Sequence, residues 1–260
     1  MTIIPEGATP VLDQGYVLLV DCWGSDERII EAARMSTDKG FLGWGPTQCP
    51  GPNCMPVEML GDHYNPCERR PPCDNGWIPG DEKLLKYLWE NKHATPFEMA
   101  GLTFEIQAPI LVFREWHRHR TQSYSELSAR YTALPDMYYI PSTDRLMAGQ
   151  QSKKNKQSSE AGFTLGQAQI FQGDIENAYR LARKTYDRLL ASGVAREIAR
   201  VVIPVGQYSR MRASANLRNW LAFLTLRMDE AAQWEIRQYA NIVGRIIGER
   251  FPRTYSLFAA

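Results

Sequence analysis

Between Arg118 and Tyr131 the chain reads RHRTQSYSELSARY: three arginines, one histidine, one glutamate and three serines in fourteen residues. A guanidinium keeps its charge and offers a planar fork that meets a phosphate with two parallel hydrogen bonds. Serine hydroxyls and loop N–H groups complete such a cradle. Composition alone leaves two readings level, a solvated basic face and a pocket for a phosphorylated ligand. Neighbours on a helix point roughly 100° apart. Arg118 and Arg120 therefore need not serve one anion; one can hold a substrate phosphate while the other meets a cofactor.

Elements on both sides must position these groups. YVLLVDCW (Tyr16–Trp23) is an apolar run of strand formers, and DERIIEAARMS (Asp26–Ser36) has helical periodicity. The stretch 41–80 is rich in proline and glycine with little periodicity, which reads as a loop or insertion. DEKLLKYLWENKH (Asp81–His93) opens with acids and carries a leucine stripe, a second helix. GLTFEIQA (Gly101–Ala108) alternates as a strand, and Pro109 opens a helix expected to run to Arg120. The polar stretch 149–162 reads as a loop. Leu165–Ser192 reads as one long helix ended by Gly193, and further helices fit Ala195–Ser209, Asn216–Arg227 and Glu230–Arg250. Strands alternating with helices, then helices alone, give an α+β class. The whole is expected to form a single domain carrying the insertion at about 41–80.

The bulk numbers exclude several functions. The formal net charge is +1, with no basic excess for coating nucleic acid. Hydrophobic and charged fractions of 44% and 23% are those of a globular protein. No apolar run approaches the ~20 residues of a membrane helix, and the N-terminus has no signal-peptide pattern. The expectation is a cytoplasmic protein that uses neither nucleic acid nor membrane. Cys49, Cys54, Cys67 and Cys73 are separated by five, thirteen and six positions, with His63 among them. That is not the short paired spacing of common zinc sites, so reduced cysteines in a covering loop are expected, and these four are the candidate ligands should zinc bind. Cys22 lies in the apolar strand, where a thiol is inert.

The order RHR, seven residues, then serine is much more specific than composition. Together with HATPFEMAGLTFEIQAPILVFREW before it (from His93), AARMS at Ala32–Ser36, GVAREIARVVIPVGQYSR and NLRNWLAFLTLRMDEAAQWEIRQYA, it resembles the flavin-dependent thymidylate synthases (the ThyX family) over most of the chain. The resemblance implies an α+β fold with a central mixed sheet and long helices. It implies a homotetramer with active sites shared between subunits. It implies reductive methylation of dUMP to dTMP, with FAD as cofactor and NADPH and methylenetetrahydrofolate as co-substrates. Carried over by position, Ser128, Arg130 and Arg200 hold the nucleotide phosphate, with Glu115 and Glu126 beside the nucleotide and Arg227 at the pyrimidine ring. Arg118, His119 and Arg120 match the flavin-binding RHR, His93, Thr95 and Glu98 the HxTPFE pattern, Asn216 and Arg218 an NxR pair, and Ser36 a serine near the flavin. Arg227 and Ser128 are the catalytic candidates. Arg227 can stabilise charge on the ring, whereas Ser128 has no base placed by the sequence and suits ligand binding better than attack.

Four positions depart from the family pattern. Glu115 replaces a glutamine, Ser125 and Ala222 replace asparagines, and His117 stands at a usually apolar or aromatic site. A carboxylate near a phosphate repels it unless an arginine intervenes. These departures leave open a different pyrimidine nucleotide such as dCMP, or hydroxymethylation in place of methylation. An inactive nucleotide-binding homologue is the reading from another class. His117 is expected to be a surface or packing residue.

Overall fold

The computed structural model describes residues 4–45, 47–48, 77–78, 80–151 and 159–260. The four cysteines from Cys49 to Cys73, and His63 with them, lie outside the described residues. In chain order the elements are β1 (Thr9–Val11), β2 (Gly15–Trp23), α1 (Asp26–Arg34), β3 (Thr47–Gln48), β4 (Trp77–Ile78), α2 (Glu82–Glu90), α3 (Thr95–Glu98), β5 (Gly101–Pro109), α4 (Ile110–Trp116), β6 (Ser123–Glu126), α5 (Thr143–Met147), β7 (Gln150–Gln151), β8 (Ser159–Glu160), α6 (Leu165–Ala191), α7 (Arg196–Ala199), β9 (Tyr208–Asn216), α8 (Leu217–Arg227), α9 (Trp234–Arg250) and α10 (Pro252–Ala259). The chain forms two compact units: Met1–Trp23 with Gly101–Arg250, and Gly24–Ala100 with Phe251–Ala260.

The first unit is built on a five-stranded sheet of order β1-β2-β5-β9-β6. Every pairing in it is antiparallel, so the expected mixed sheet is corrected to an antiparallel one. Strand β5 shows the period of two that a half-buried strand needs: Leu102, Phe104, Ile106 and Ala108 are buried, while Thr103, Glu105 and Gln107 are partly exposed. Phe104 meets Trp220 of α8 edge-on at 5.0 Å, and the Trp220 indole donates to the Leu102 carbonyl at 2.9 Å. Ile236, Tyr239, Val243 and Ile247 align along α9, all fully buried. The long helix α6 starts with a capping box, Thr164 with Gln167, and Gly193 follows its end at a φ of 80°, where a side chain would be strained. Along α6 only Ala168 and Tyr186 are buried.

Two expectations fail here. The helix expected over Ala195–Ser209 is instead the short α7, a 3₁₀ turn at Arg200–Val202, and then strand β9. The alternation Ser209, Met211, Ala213, Ala215 inward and Arg210, Arg212 outward is that of a strand, written largely in residues that also favour helices. The helix expected to run from Pro109 to Arg120 stops at Trp116, so the RHR residues occupy a turn.

In the second unit, the buried carboxylate of Asp26 on α1 receives Arg253 N–H at 2.8 Å, Thr254 N–H at 3.1 Å and the Thr254 hydroxyl at 2.6 Å, satisfying the free donors at the start of α10. Asp81 is buried, pairs with Arg34 and accepts Leu42 N–H at 2.6 Å, and its own N–H donates to the Gly43 carbonyl at 2.9 Å. Glu82 accepts Gly45 N–H and pairs with Arg253, whose guanidinium lies 4.4 Å over the Trp44 ring. The two ends of the 41–80 stretch are thus fastened to each other. No helix among the described residues is long and apolar enough to cross a membrane.

Candidate active site

Helix α4 positions the RHR turn. Its residues Val112, Phe113 and Trp116 are buried, and Trp116 packs on Phe223 of α8 at 4.5 Å between ring centroids. The turn that follows is tied down twice. The Tyr124 hydroxyl donates to the His119 carbonyl at 2.7 Å and to the Trp116 carbonyl at 3.2 Å. The Trp116 indole donates to Gln122 Oε1 at 3.0 Å. Burial pushes the Tyr124 phenol up to about 12, so it remains a donor at physiological pH. This conformation sends Arg118 and Arg120 outward, both exposed and without a side-chain partner among the described residues. His119 turns inward, its ring edge-on to Phe223 at 4.9 Å.

Arg227 arrives from the last turn of α8, a helix whose N-cap is Asn216, with its side-chain oxygen accepting Asn219 N–H at 2.9 Å. Three bonds hold its guanidinium: Nε–H to His119 Nε2 at 2.9 Å, NH1 to Glu115 Oε2 at 2.7 Å, and NH2 to the Glu115 carbonyl at 2.9 Å. The Arg227 side chain is 14% exposed and that of Glu115 is 38% exposed. His119 is pushed down to about 4, chiefly by burial and next by the neighbouring Arg227 cation, with Glu115 opposing. The carboxylate of Glu115 is therefore paired with a cation.

Strand β6 pairs with β9 and carries the next residues. The Ser209 hydroxyl donates to Glu126 Oε1 at 2.8 Å. Past the strand, the Ser128 hydroxyl accepts Arg130 N–H at 3.3 Å, and Tyr131 and Thr132 N–H both donate to the Ser128 carbonyl, closing a tight turn. No imidazole or carboxylate is bonded to the Ser128 hydroxyl among the described residues, so nothing there activates it as a nucleophile. Arg130 pairs with Glu197 of α7 at 3.3 Å, both side chains being half exposed. Arg200, three residues on, is exposed, as is Arg218. Ser125 and Ala222 are exposed, and His117 packs its ring edge-on to Tyr124 at 4.8 Å.

The structure thus joins Glu115, His119 and Arg227 directly, and links Ser128 and Arg130 to the α7 turn that precedes Arg200. Ser36, His93, Thr95 and Glu98 belong to the second unit, where the His93 ring stands edge-on to Tyr87 at 5.5 Å and the Ser36 hydroxyl donates to the Ala33 carbonyl at 3.3 Å. Tyr124, Gln122, Ser209, Glu197 and Phe223 complete the arrangement and were not anticipated; only the nearness of Tyr124 and Gln122 to RHR could have pointed to them. Two cavities, of about 700 and 570 Å³, lie around Arg145 and Trp234 and around Tyr138 and Tyr179, and none of the expected site residues lines either.

Residues 18–253 match the family described as Thymidylate synthase complementing protein. The flavin-dependent thymidylate synthase of Thermus thermophilus is 36% identical over 249 residues, covering 96% of this chain and 77% of that one. The enzyme of the same description from Thermosipho africanus is 35% identical, covering 95% and 92%. The chain belongs to the flavin-dependent thymidylate synthase family. Among solved structures, a UMP/dUMP methylase of Streptomyces cacaoi bound with 5-bromo-UMP superposes with a TM-score of 0.73 at 30% identity, over 94% of this chain and 93% of that one. The same methylase bound with 5-bromo-dUMP also gives 0.73, over 96% and 97%. In this member of the flavin-dependent thymidylate synthase family the RHR residues lie on the turn after α4 and Arg227 at the end of α8, 107 residues or more apart in sequence.

Proposed function

We propose that this protein makes dTMP by flavin-dependent reductive methylation of dUMP, with methylenetetrahydrofolate as one-carbon donor and NADPH as reductant. The observation that carries the reading is the Arg227 guanidinium, held on three sides beside the RHR turn in a chain whose solved relatives bind brominated uridine nucleotides. Arg227 keeps one N–H on each terminal nitrogen for the pyrimidine ring. A cation already fixed in place lowers the energy of a ring that gains negative charge, because nothing reorganises as the charge develops. Ser128, Arg130 and Arg200 are assigned to the nucleotide phosphate. Glu126, oriented by the Ser209 hydroxyl, is assigned to the nucleotide's side.

The donors present suit FAD. Arg118 and Arg120 offer two unpaired guanidinium forks for its diphosphate, and the Gln122 amide has a buried Nε2–H without a partner among the described residues. Asn216, Arg218, Ser36, His93, Thr95 and Glu98 are assigned to the cofactor on the family pattern. Bound and reduced, the flavin supplies the hydride that completes the methyl group. A homotetramer with shared sites is part of this reading. It is supported by the exposure of Tyr131 and Val201, each 79% exposed, and of Ile198 and Val205 in the segments that carry Arg130 and Arg200.

The test is product analysis with dUMP, UMP and dCMP in parallel, each with methylenetetrahydrofolate and NADPH. dTMP from dUMP is expected. Arg227→Ala should keep the flavin spectrum and lose nucleotide-dependent turnover. Colourless protein that refuses added FAD, or an Arg227→Ala variant with unchanged turnover, overturns the reading.

A further inference from the structure

The contact between Arg227 and His119 permits only one polarity. A guanidinium N–H can donate and never accepts. At 2.9 Å from Arg227 Nε, the Nε2 atom of His119 must therefore present its lone pair. The proton of the neutral ring then resides on Nδ1. A protonated imidazole would set two donors and two positive charges against each other. The groups facing the ring are Arg227 and Phe223 from α8 and Glu115 from α4, and the backbone carbonyl of His119 itself is held by Tyr124. Burial and the Arg227 cation outweigh Glu115 and hold the ring neutral, down to about 4.

We propose that His119 is a positioning residue for Arg227: locked as the Nδ1–H tautomer, it and Glu115 fix the plane of the guanidinium and leave one N–H on each terminal nitrogen for the nucleotide. The histidine of the RHR motif thus contributes no charge to the site. It supplies a lone pair to Arg227 and a single directed N–H from its other nitrogen. The gain is preorganisation. A free arginine has rotamer entropy that ordering would cost at the moment of binding. The inference rests on the reading that Arg227 meets the pyrimidine ring.

The chain has four histidines, so selective ¹⁵N-histidine labelling gives a spectrum simple enough to assign by loss of the His119 signals in His119→Gln. In the purified holoenzyme without nucleotide, His119 should show the Nδ1–H tautomer at pH 7 and no titration between pH 8 and 5.5. An Nε2–H tautomer, an imidazolium, or a midpoint near the ordinary histidine value overturns the proposal. In turnover, His119→Leu removes the acceptor and should lower kcat by about ten- to a hundredfold, the scale of one hydrogen bond to a charged group. His119→Gln returns an oxygen acceptor near the Nε2 position and should recover most of that loss. Equal losses in both variants, or none in His119→Leu, also overturn it. The spectrum reads the contact whatever Arg227 binds. The expected tautomer in the wild-type protein together with an active Arg227→Ala variant therefore sinks the ring-binding role alone.

Discussion

Replacing Tyr124 by phenylalanine removes one oxygen atom and keeps the ring that packs on His117 at 4.8 Å. The lost O–H donates to the His119 and Trp116 carbonyls. Neither carbonyl is orphaned, because Gln122 N–H still donates to the first at 3.3 Å and His119 N–H to the second at 3.0 Å. The cost is therefore that of an ordinary net hydrogen bond, about 0.5–1.5 kcal/mol, without the further penalty of a stranded acceptor. For a chain of this size, about 1 kcal/mol lowers Tm by roughly 2–4 °C. The loosened turn carries Arg118 and Arg120, so flavin occupancy after gel filtration should fall more visibly than stability. Thermal melts and the flavin-to-protein absorbance ratio measure both effects. A second signature is the pH dependence. The phenol titrates at about 12 in the folded state against 10 in the unfolded chain. Its contribution is complete below pH 10 and is lost as pH rises from 10 towards 12, so the stability gap between wild type and Tyr124→Phe narrows there. Unchanged Tm together with unchanged flavin occupancy refutes the tethering argument. A fall beyond about 10 °C does too, because it would mean that ring packing had been disturbed.

Asp26→Ala strands two backbone donors and a hydroxyl at the start of α10, so a loss of about 2–4 kcal/mol in urea unfolding is expected, and an unchanged midpoint contradicts the capping role. Because Gln48 pairs with Trp77 and Thr47 with Ile78, residues 49–76 can be replaced by Asn-Gly, a two-residue hairpin turn. The shortened chain should fold with Tm within a few degrees of wild type, since loop-closure entropy changes only slowly with length; failure to fold means the excised segment holds the second unit together.

Periodic apolar elements were legible in the sequence. Strands β2 and β5 and helices α1, α2, α6 and α8 lie within a few residues of their expected bounds because burial writes a period of 2 or 3.6 into the chain. Strand β9 was not legible, since Met211, Ala213 and Ala215 are small or helix-favouring residues that become strand residues only between β5 and β6. β6 was missed for another reason: three of its four residues are exposed, so no apolar alternation marks it. Within the site, residue types were readable and partnerships were not. Glu115 and Arg227 are 112 positions apart, and the packing of Trp116 on Phe223 and Trp220 brings their helices together.

That packing bears on why arginines gather around the RHR motif. The described structure sorts them into two kinds. Arg227 is mostly buried and spends three N–H groups on His119 and Glu115, so its orientation is set before any ligand arrives. Arg118, Arg120 and Arg200 are exposed and have no side-chain partner among the described residues. Arg130 lies between the two kinds: its pair with Glu197 is half exposed on both sides, and such pairs contribute about 0–1 kcal/mol. A phosphate dianion offering two parallel acceptors exceeds that easily, so Glu197 can be displaced at little cost. A solvated basic face would show no such division, because exposed side chains have no reason to differ in how firmly they are held. Here the arginine assigned to the uncharged ring is fixed, and the arginines assigned to phosphates stay free to close on them. Orientation matters most where recognition rests on two hydrogen bonds, and charge alone suffices where the ligand is an anion.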